Sequence, residues 1–233
     1  MKTTQLPLTR RTVLVGGLGA SLATALSVSP ASAATTYRRG SRGSGVRRLQ
    51  RDLSARGYWC GRADGVFGHL TQQAVWALQK RHGLVRDAIV GPNTRSALAR
   101  DTRLRPVGGS GSRFEVHLSR QLLLEVRSGR THRVFNTSTG NGEPYDWYGR
   151  TYRANTYKGS FAVHATHSSG WQTGQLGKMY RPSYFDRGRA IHGSLFIPPY
   201  PDSHGCCRVS TAAADLLWAT GSMSRGNRVL VVA

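Results

Sequence analysis

The spacing of apolar residues changes once along the chain, and this change constrains the fold more than any other feature. Between residues 45 and 100, apolar residues recur every three or four positions, as they do on one face of a helix. After a Gly- and Ser-rich stretch, residues 101–112, apolar and polar residues alternate from Phe114 to Leu118, as they do in a strand. The sequence therefore predicts an all-α part and a mainly β part, joined by a flexible linker.

The first part, residues 44–100, is expected to form three short helices. Two turn segments, residues 64–68 and 87–92, separate the helices, and each has an acidic residue shortly before an apolar pair and a glycine. These turns form a weak internal repeat. We expect a three-helix bundle of about the smallest size that folds alone.

The second part, residues 113–233, is predicted to be mostly β. One helix is expected, beginning at Ser210 or Thr211 and ending near Ala219. Segments of strand character are residues 122–126, 131–137, 159–163 and 228–232.

Residues 1–33 have the features of an export signal. Arg10 and Arg11 precede an uncharged run, and Ala31-Ser32-Ala33 offers small residues for a signal peptidase. The paired arginines favour the twin-arginine route, and an ordinary secretory signal is the alternative. The remainder contains no apolar stretch long enough to span a bilayer, so no transmembrane anchor is expected after cleavage.

The net charge of +22 bears on partners. Lys2, Arg10 and Arg11 contribute three of these charges, which leaves +19 for the chain after residue 33. A protein with this positive charge attracts polyanions. For an exported protein we expect these partners to be anionic wall polymers rather than nucleic acid. Arginine enrichment that follows from genome composition explains the same charge equally well.

The chain has three cysteines, so at least one thiol is unpaired. Cys206 lies in the segment Ser203-His204-Gly205-Cys206-Cys207-Arg208, which follows the segment Ile191-His192-Gly193-Ser194. A histidine beside a cysteine supplies the base that a thiol needs to attack a carbonyl. The glycine before Cys206 leaves room for a substrate and for an oxyanion.

Three other interpretations stay open. His192, His204 and Cys206 are possible zinc ligands, although their spacing does not match the usual patterns. Cys206 and Cys207 are otherwise structural thiols. In the third interpretation Cys207 is the nucleophile, but strand alternation places it on the face of Val209, where we expect it to be buried.

The first part resembles the common peptidoglycan-binding domain over residues 44–100. Ala88 is a departure, because the second turn often has glycine there. The matching positions are Gly45-Val46, Leu49-Gln50, Leu53, Gly57, Asp64-Gly65, Phe67-Gly68, Thr71, Ala74-Val75, Gln79, Gly83-Leu84, residues 89–92 and Thr94.

The second part resembles the L,D-transpeptidases of the YkuD type over residues 113–233. The main match is His192-Gly193 followed by Ser203-His204-Gly205-Cys206-x-Arg208. Supporting matches are Leu118-Ser119-x-Gln121, Ser138-Thr139-Gly140, Lys158-Gly159-Ser160-Phe161, Met179-Tyr180 and Tyr184-Phe185. Tyr157 and Cys207 depart from the family pattern.

The resemblance implies a role for each matched residue. Cys206 is the implied nucleophile, His192 the base and later the acid, and the Gly193 carbonyl orients the imidazole. The N–H groups of Gly205 and Cys206 are the implied oxyanion donors. The residues implied to bind substrate or shape the site are Ser203, His204, Arg208, Tyr180 and Tyr184, with a structural role as the alternative for Arg208 and both tyrosines.

The implied fold class is a small all-α three-helix peptidoglycan-binding bundle followed by a mainly β L,D-transpeptidase catalytic domain. The implied reaction transfers an acyl group between peptidoglycan stem peptides to make 3→3 crosslinks, through a thioester and without a metal or other cofactor. The enzyme would act outside the cytoplasm, in the cell wall. The alternatives are an L,D-carboxypeptidase with the same site and a wall-binding protein without activity.

Overall fold

The computed structural model describes residues 35–233, which form one compact unit. The predicted export signal, residues 1–33, lies outside the described residues. Among the helices of residues 35–233, none has the length and apolar character needed to cross a membrane.

Three helices form the first part, and they are held by two equivalent turns. In the first turn, Asp64 accepts hydrogen bonds from Val66 N (2.8 Å) and from the Gln50 side chain (2.9 Å). In the second turn, Asp87 has the equivalent bonds from Ile89 N and Gln79. The weak sequence repeat is therefore also a repeat of hydrogen bonds. The helices are α1 (Ser44–Ala55), α2 (His69–Arg81) and α3 (Pro92–Arg100).

Ala88 departs from the family pattern at a position where the backbone is left-handed. Its φ is 59°, and the equivalent Gly65 in the first turn has a φ of 80°. Glycine adopts this conformation without steric cost, whereas alanine does not. The Ala88 amide donates to the Gln79 side chain at 2.9 Å, as the Gly65 amide does to Gln50, so the turn keeps its geometry with the larger residue.

The second part has two five-stranded sheets and a separate hairpin. The first sheet has the order β3-β2-β1-β12-β6, the second has the order β11-β10-β9-β7 with β8 also paired to β9, and β4 and β5 form the hairpin. One helix, α4 (Thr211–Ala219), follows β11, as predicted. The strands are β1 (Arg113–His117), β2 (Leu122–Arg127), β3 (Arg130–Asn136), β4 (Pro144–Trp147), β5 (Arg150–Arg153), β6 (Gly159–Ala162), β7 (Ala165–Thr166), β8 (Trp171–Gly174), β9 (Gly177–Asp186), β10 (Arg189–Ser194), β11 (Cys207–Ser210) and β12 (Arg228–Val232).

Strand β2 of the first sheet is buried on both faces. Leu122 and Leu124 point towards the helices and share a core with residues such as Leu53 and Leu78. Leu123, between them, points to the opposite face and packs in a second core with the second sheet and α4. This is why β2 has buried residues at five successive positions instead of alternating between core and solvent.

The structure differs from the expected flexible connection between two independent parts. Residues 101–112 contain no helix or strand, yet Leu104 is buried in the core shared by the helices and the sheet. The amides of Val107 and Gly108 donate to the Glu115 carboxylate at 2.9 and 2.8 Å. The connection is therefore fixed by contacts at several points, and the helices bury their apolar faces partly against the sheet.

A buried lysine also joins the two parts. The Nζ atom of Lys80, on α2, donates to the carbonyls of Gln121 and Thr137 at 2.8 and 2.9 Å. Gln73, also on α2, accepts a hydrogen bond of 2.6 Å from Asn136. Side chains of α2 thus form hydrogen bonds with polar groups at the end of β3 and just before β2.

Candidate active site

Two adjacent parallel strands place the predicted histidine and cysteine on the same face of the second sheet. In the pairing of β10 with β11, Ile191 lies opposite Cys207 and His192 lies opposite Arg208. Cys206 immediately precedes β11, and its sulfur accepts a hydrogen bond of 3.4 Å from the Ala190 amide. Because side chains alternate along a strand, Cys206 and His192 share the face opposite to Cys207.

His192 is buried and has a defined tautomer. Its Nδ1 donates to the Gly193 carbonyl at 2.8 Å, so Nε2 is left as the acceptor. Burial lowers the pKa of His192 to about 4, although the bond to Gly193 acts in the opposite direction. At neutral pH the imidazole is therefore uncharged and able to accept a proton.

Gly193 also leaves the space that this arrangement needs. A Cβ atom at this position would lie 2.9 Å from the Tyr180 ring and 3.0 Å from the Thr211 backbone. The strand therefore packs closely against α4 and β9, and the carbonyl that holds His192 is fixed from both sides.

The Cys206 thiol is protonated at neutral pH. Burial raises its pKa, against the donation from the Ala190 amide and the charges of Arg208 and Arg189. The contacts of the sulfur within residues 35–233 are with the Ala190 amide, the Gly188 carbonyl (3.9 Å) and the Met179 sulfur (4.0 Å). A hydrogen bond to His192 is not among them, and the strand register relates the two side chains only by placing them on the same face of the sheet.

The other two cysteines are free thiols in apolar surroundings. Cys207 is fully buried in the core between the second sheet and α4, and burial raises its pKa strongly. Cys60 lies in the core of the helices with its sulfur 3.4 Å from the Gln50 carbonyl. Neither thiol has the environment of a nucleophile.

A tight turn presents Cys206 at the end of the loop before β11. Ser203 Oγ accepts a hydrogen bond from the Gly205 amide (3.0 Å) and donates to the Cys206 carbonyl (2.6 Å). Gly205 has a φ of 125°, and a Cβ atom there would lie 2.8 Å from the Asn155 carbonyl. The turn therefore requires glycine at this position.

This turn corrects one expectation about the oxyanion donors. The Gly205 amide points to Ser203 and is not free to bind an oxyanion. The Cys206 amide has no acceptor among the described residues, so it is free to donate to a bound group.

Arg208 and His204 lie around this turn in different ways. Arg208 forms an ion pair of 2.6 Å with Asp202, and its backbone pairs with Ser138. His204 is exposed and contacts the edge of the Tyr145 ring, with centroids 4.8 Å apart. Within residues 35–233, no group of three His, Cys, Asp or Glu side chains has an arrangement that would hold a metal, so the three side chains of the zinc interpretation do not converge.

The two predicted tyrosines lie on β9, on the side of the site opposite to β11. Tyr184 pairs with Ala190, and its hydroxyl donates to Gln172 at 2.9 Å. Burial raises the pKa of Tyr184. Because the amide of its strand partner Ala190 donates to the Cys206 sulfur, Tyr184 lies on the β9 side of that sulfur. Tyr180 packs against Trp171 and donates to Asp215 at 2.9 Å, so it contributes to the wall of the site and to its support.

Sequence reasoning missed Arg189 and Asn155. The Arg189 side chain donates to the Asn155 carbonyl at 2.6 Å, pairs with Asp186 at 3.0 Å and lies over the Tyr157 ring at 4.3 Å. Asn155 follows the hairpin, far from Cys206 in the chain. One arginine in a chain with 33 basic residues gives no signal of its own, and only the fold brings these groups together.

These observations define a class of protein: a mainly β domain with a cysteine and a buried, neutral histidine on one face of a sheet and a free backbone amide at the cysteine, the kinds of group that cysteine-dependent acyl transfer uses. Residues 111–231 match the family described as the L,D-transpeptidase catalytic domain, and residues 42–98 match the peptidoglycan binding domain. The chain belongs to the L,D-transpeptidase family.

Similar proteins agree with these matches. The crystal structure of an L,D-transpeptidase from Xylanimonas cellulosilytica is 48% identical, with a TM-score of 0.81, and the alignment covers 85% of this chain and 98% of that one. N-acetylmuramoyl-L-alanine amidase CwlL from Bacillus licheniformis is 44% identical over 75 residues, or 31% of this chain. A probable N-acetylmuramoyl-L-alanine amidase from the same species is 40% identical over 83 residues, or 32% of this chain. The chain spans 21% and 23% of the length of these two amidases.

Proposed function

We propose that the protein is an exported, cysteine-dependent L,D-transpeptidase that makes 3→3 crosslinks in the cell wall. The observation that carries this proposal is the strand pairing that puts Cys206 and a buried, neutral His192 on the same face of the second sheet. A protonated thiol next to a neutral imidazole favours general-base activation over a preformed ion pair.

The chemistry follows from this starting state. The Cys206 sulfur attacks the carbonyl of the third stem residue, a diamino acid, while His192 Nε2 takes the thiol proton. The Cys206 amide donates to the developing oxyanion. The tetrahedral intermediate then collapses to a thioester, and His192 returns the proton to the departing amine of the terminal D-Ala.

The second half of the reaction uses the same groups. The side-chain amine of a neighbouring stem attacks the thioester, loses a proton to His192 and restores the Cys206 thiol. Water in place of the amine would give a tripeptide, which is the L,D-carboxypeptidase alternative. A wall-binding protein without activity is disfavoured by the complete set of reacting groups.

The surrounding residues hold this geometry in the proposal. Ser203 and Gly205 form the turn that leaves the Cys206 amide free, and Tyr184, on the β9 side of the sulfur, lines the groove for the donor stem peptide. Arg208 braces the loop through Asp202, which favours the structural role over direct binding of a substrate carboxylate. The helical part would hold the enzyme on the wall, and the arginine-rich surface would add attraction to anionic polymers.

Purified protein and tetrapeptide-bearing muropeptides provide the test. We expect mass spectrometry to show dimers whose mass equals two monomers minus one D-Ala. Tripeptide monomers without dimers would identify the carboxypeptidase, and no change in either product would exclude both activities. Cys206→Ala protein is the control that separates this activity from a contaminating enzyme.

A further inference from the structure

The hairpin formed by β4 and β5 carries a row of exposed aromatic rings. Trp147 and Tyr152 are each 38% exposed, and Tyr148, at the tip, is 76% exposed. A two-stranded hairpin has no core of its own, so exposed rings on it need another explanation than folding. Exposed aromatic patches of this kind mark binding surfaces.

The rings form a continuous ladder on one face of the hairpin. Tyr145 lies opposite Tyr152, and Trp147 lies opposite Arg150, so these four side chains share a face. The ring centroids of Trp147 and Tyr152 are 5.7 Å apart, and those of Tyr152 and Tyr145 are 5.9 Å apart with nearly parallel planes.

The ladder leads to the catalytic loop. Tyr145 contacts the ring of His204, which is two residues before Cys206. Burial raises the pKa of Tyr145, and the negative charge of the Cys206 thiolate raises it further, although the nearby Arg189 lowers it. The last ring of the ladder therefore lies against the loop that ends at Cys206.

The base of the hairpin is also bonded to that loop on both sides. The Asn141 amide, before β4, donates to the Ser203 carbonyl at 3.1 Å. The Thr156 hydroxyl, after β5, donates to the Gly205 carbonyl at 2.8 Å. The surface of the hairpin and the site are thus parts of one structure.

We propose that this ladder binds the glycan strand that carries the donor stem peptide. The inference rests on the proposed function, because a stem peptide in the site is covalently attached to a polysaccharide that must leave the site along some surface. The flat C–H faces of sugar rings pack well against aromatic rings, and the Arg150 guanidinium on the same face can donate to sugar hydroxyls and carboxylates. An apolar row with a few convergent polar groups is the usual form of such a site.

The test compares two donors that differ only in the sugar: the free tetrapeptide and the same tetrapeptide attached to its disaccharide. In the double variant Trp147→Ala/Tyr152→Ala, we expect the KM for the sugar-bearing donor to rise roughly tenfold, which is the usual cost of removing aromatic contacts from a binding site. The kinetics with the free tetrapeptide should stay as in the wild type, which also shows that the variant is folded. Phe196→Ala removes an exposed ring that is not part of the ladder and should change neither donor's kinetics.

Equal changes with both donors, or no change with either, would overturn the proposal. A second measurement does not depend on catalysis. Calorimetric titration with peptide-free glycan chains should show one binding site fewer in the double variant than in the wild type. If the double variant loses this site but the wild type converts neither donor, the glycan-binding proposal holds and the proposed reaction is wrong. If the two titrations are identical, the ladder does not bind glycan.

Discussion

At the scale of single residues, two adjacent cysteines have opposite properties because strand alternation sends them to opposite faces. Cys206 lies half-buried beside the Ala190 amide, and Cys207 is fully buried in the core. A carbapenem is a β-lactam whose carbonyl a thiol nucleophile can attack as it attacks the stem peptide in the proposed function, so Cys206→Ala should abolish acylation by a carbapenem. Cys207→Ala should keep it, with a loss of about 1 kcal/mol in the free energy of unfolding from the small cavity.

The measurement is the mass of the intact protein after incubation with the carbapenem, together with urea unfolding of both variants. An adduct on Cys206→Ala, or its absence from a folded Cys207→Ala, would reassign the nucleophile.

The two histidines near Cys206 should contribute differently to the rate. His192 is buried with its Nδ1 fixed, and we expect His192→Ala to lower the acylation rate by about 10²- to 10⁴-fold, as loss of a positioned base does. His204 is exposed and contacts the Tyr145 ring, so His204→Ala is the matched control and should lower the acylation rate much less. Equal losses in stopped-flow acylation would contradict the assignment of the base.

Burial of His192 also predicts a dependence of stability on pH. Its native pKa of about 4 is below the ordinary value near 6.5, so as pH falls through this interval the unfolded chain binds a proton that the native protein does not. Native stability should therefore decrease by up to about 3 kcal/mol between roughly pH 6.5 and pH 4 through this group. Urea unfolding of His192→Gln across this range should show a flatter curve than the wild type. Parallel curves would mean that the pKa of His192 is the same in the native and unfolded states.

At the scale of secondary-structure elements, the sequence predicts most of the strands, α4 and the histidine–cysteine pair. The motif residues lie on two strands that alternate regularly, so spacing alone is enough to put Cys207 with Val209 and away from Cys206. The spacing of apolar residues does not show what packs against each face of a strand. The alternating Leu122, Leu124 and Val126 predict one apolar face on β2, but only the structure shows that helices cover it.

The direction of backbone groups was not predictable from residue types either. A glycine before a nucleophile suggests a free amide, but the Ser203 hydroxyl lies two residues earlier and accepts from that amide. Serine competes for local backbone donors in this way, and the outcome depends on the φ and ψ values of the turn.

Lys80 gives a test of the contact between α2 and the sheet. Lys80→Met keeps the length of the side chain but leaves the carbonyls of Gln121 and Thr137 without their donor, which should cost about 1–3 kcal/mol above about pH 10, where the amine is uncharged in both the native and the unfolded chain. Burial and the charge of Arg86 lower the pKa of Lys80 to about 6. Between pH 6 and about 10 the unfolded chain therefore binds a proton that the native amine does not, and this part of native stability rises with pH.

We expect thermal unfolding of Lys80→Met to show a weaker rise over that range than the wild type. Lys158→Met removes an exposed lysine and should leave both stability and its pH dependence unchanged. If the two variants behave alike, the amine of Lys80 does not stabilise the contact.

At the scale of the whole molecule, removal of the helical part should damage the catalytic part. A chain limited to residues 113–233 would expose Leu122, Leu124, Val126 and Val134 on the face of the first sheet that the helices cover. Loss of that much apolar burial should lower the midpoint of thermal unfolding well below that of residues 35–233, or cause aggregation. Calorimetry and light scattering of the two chains make the comparison. Equal midpoints would show that the shared core contributes little to the stability of the catalytic part.

The common core has a mechanical consequence for an enzyme that works on a polymer network. A binding module on a loose tether lets its enzyme search all substrates within reach of the tether. Here the helices cannot separate from the sheet without exposing the shared core. The distance between the helices, which would bind the wall, and the Cys206 sulfur is therefore constant. In the proposed function, each crosslink would therefore form at a fixed distance from the point where the helices bind the wall.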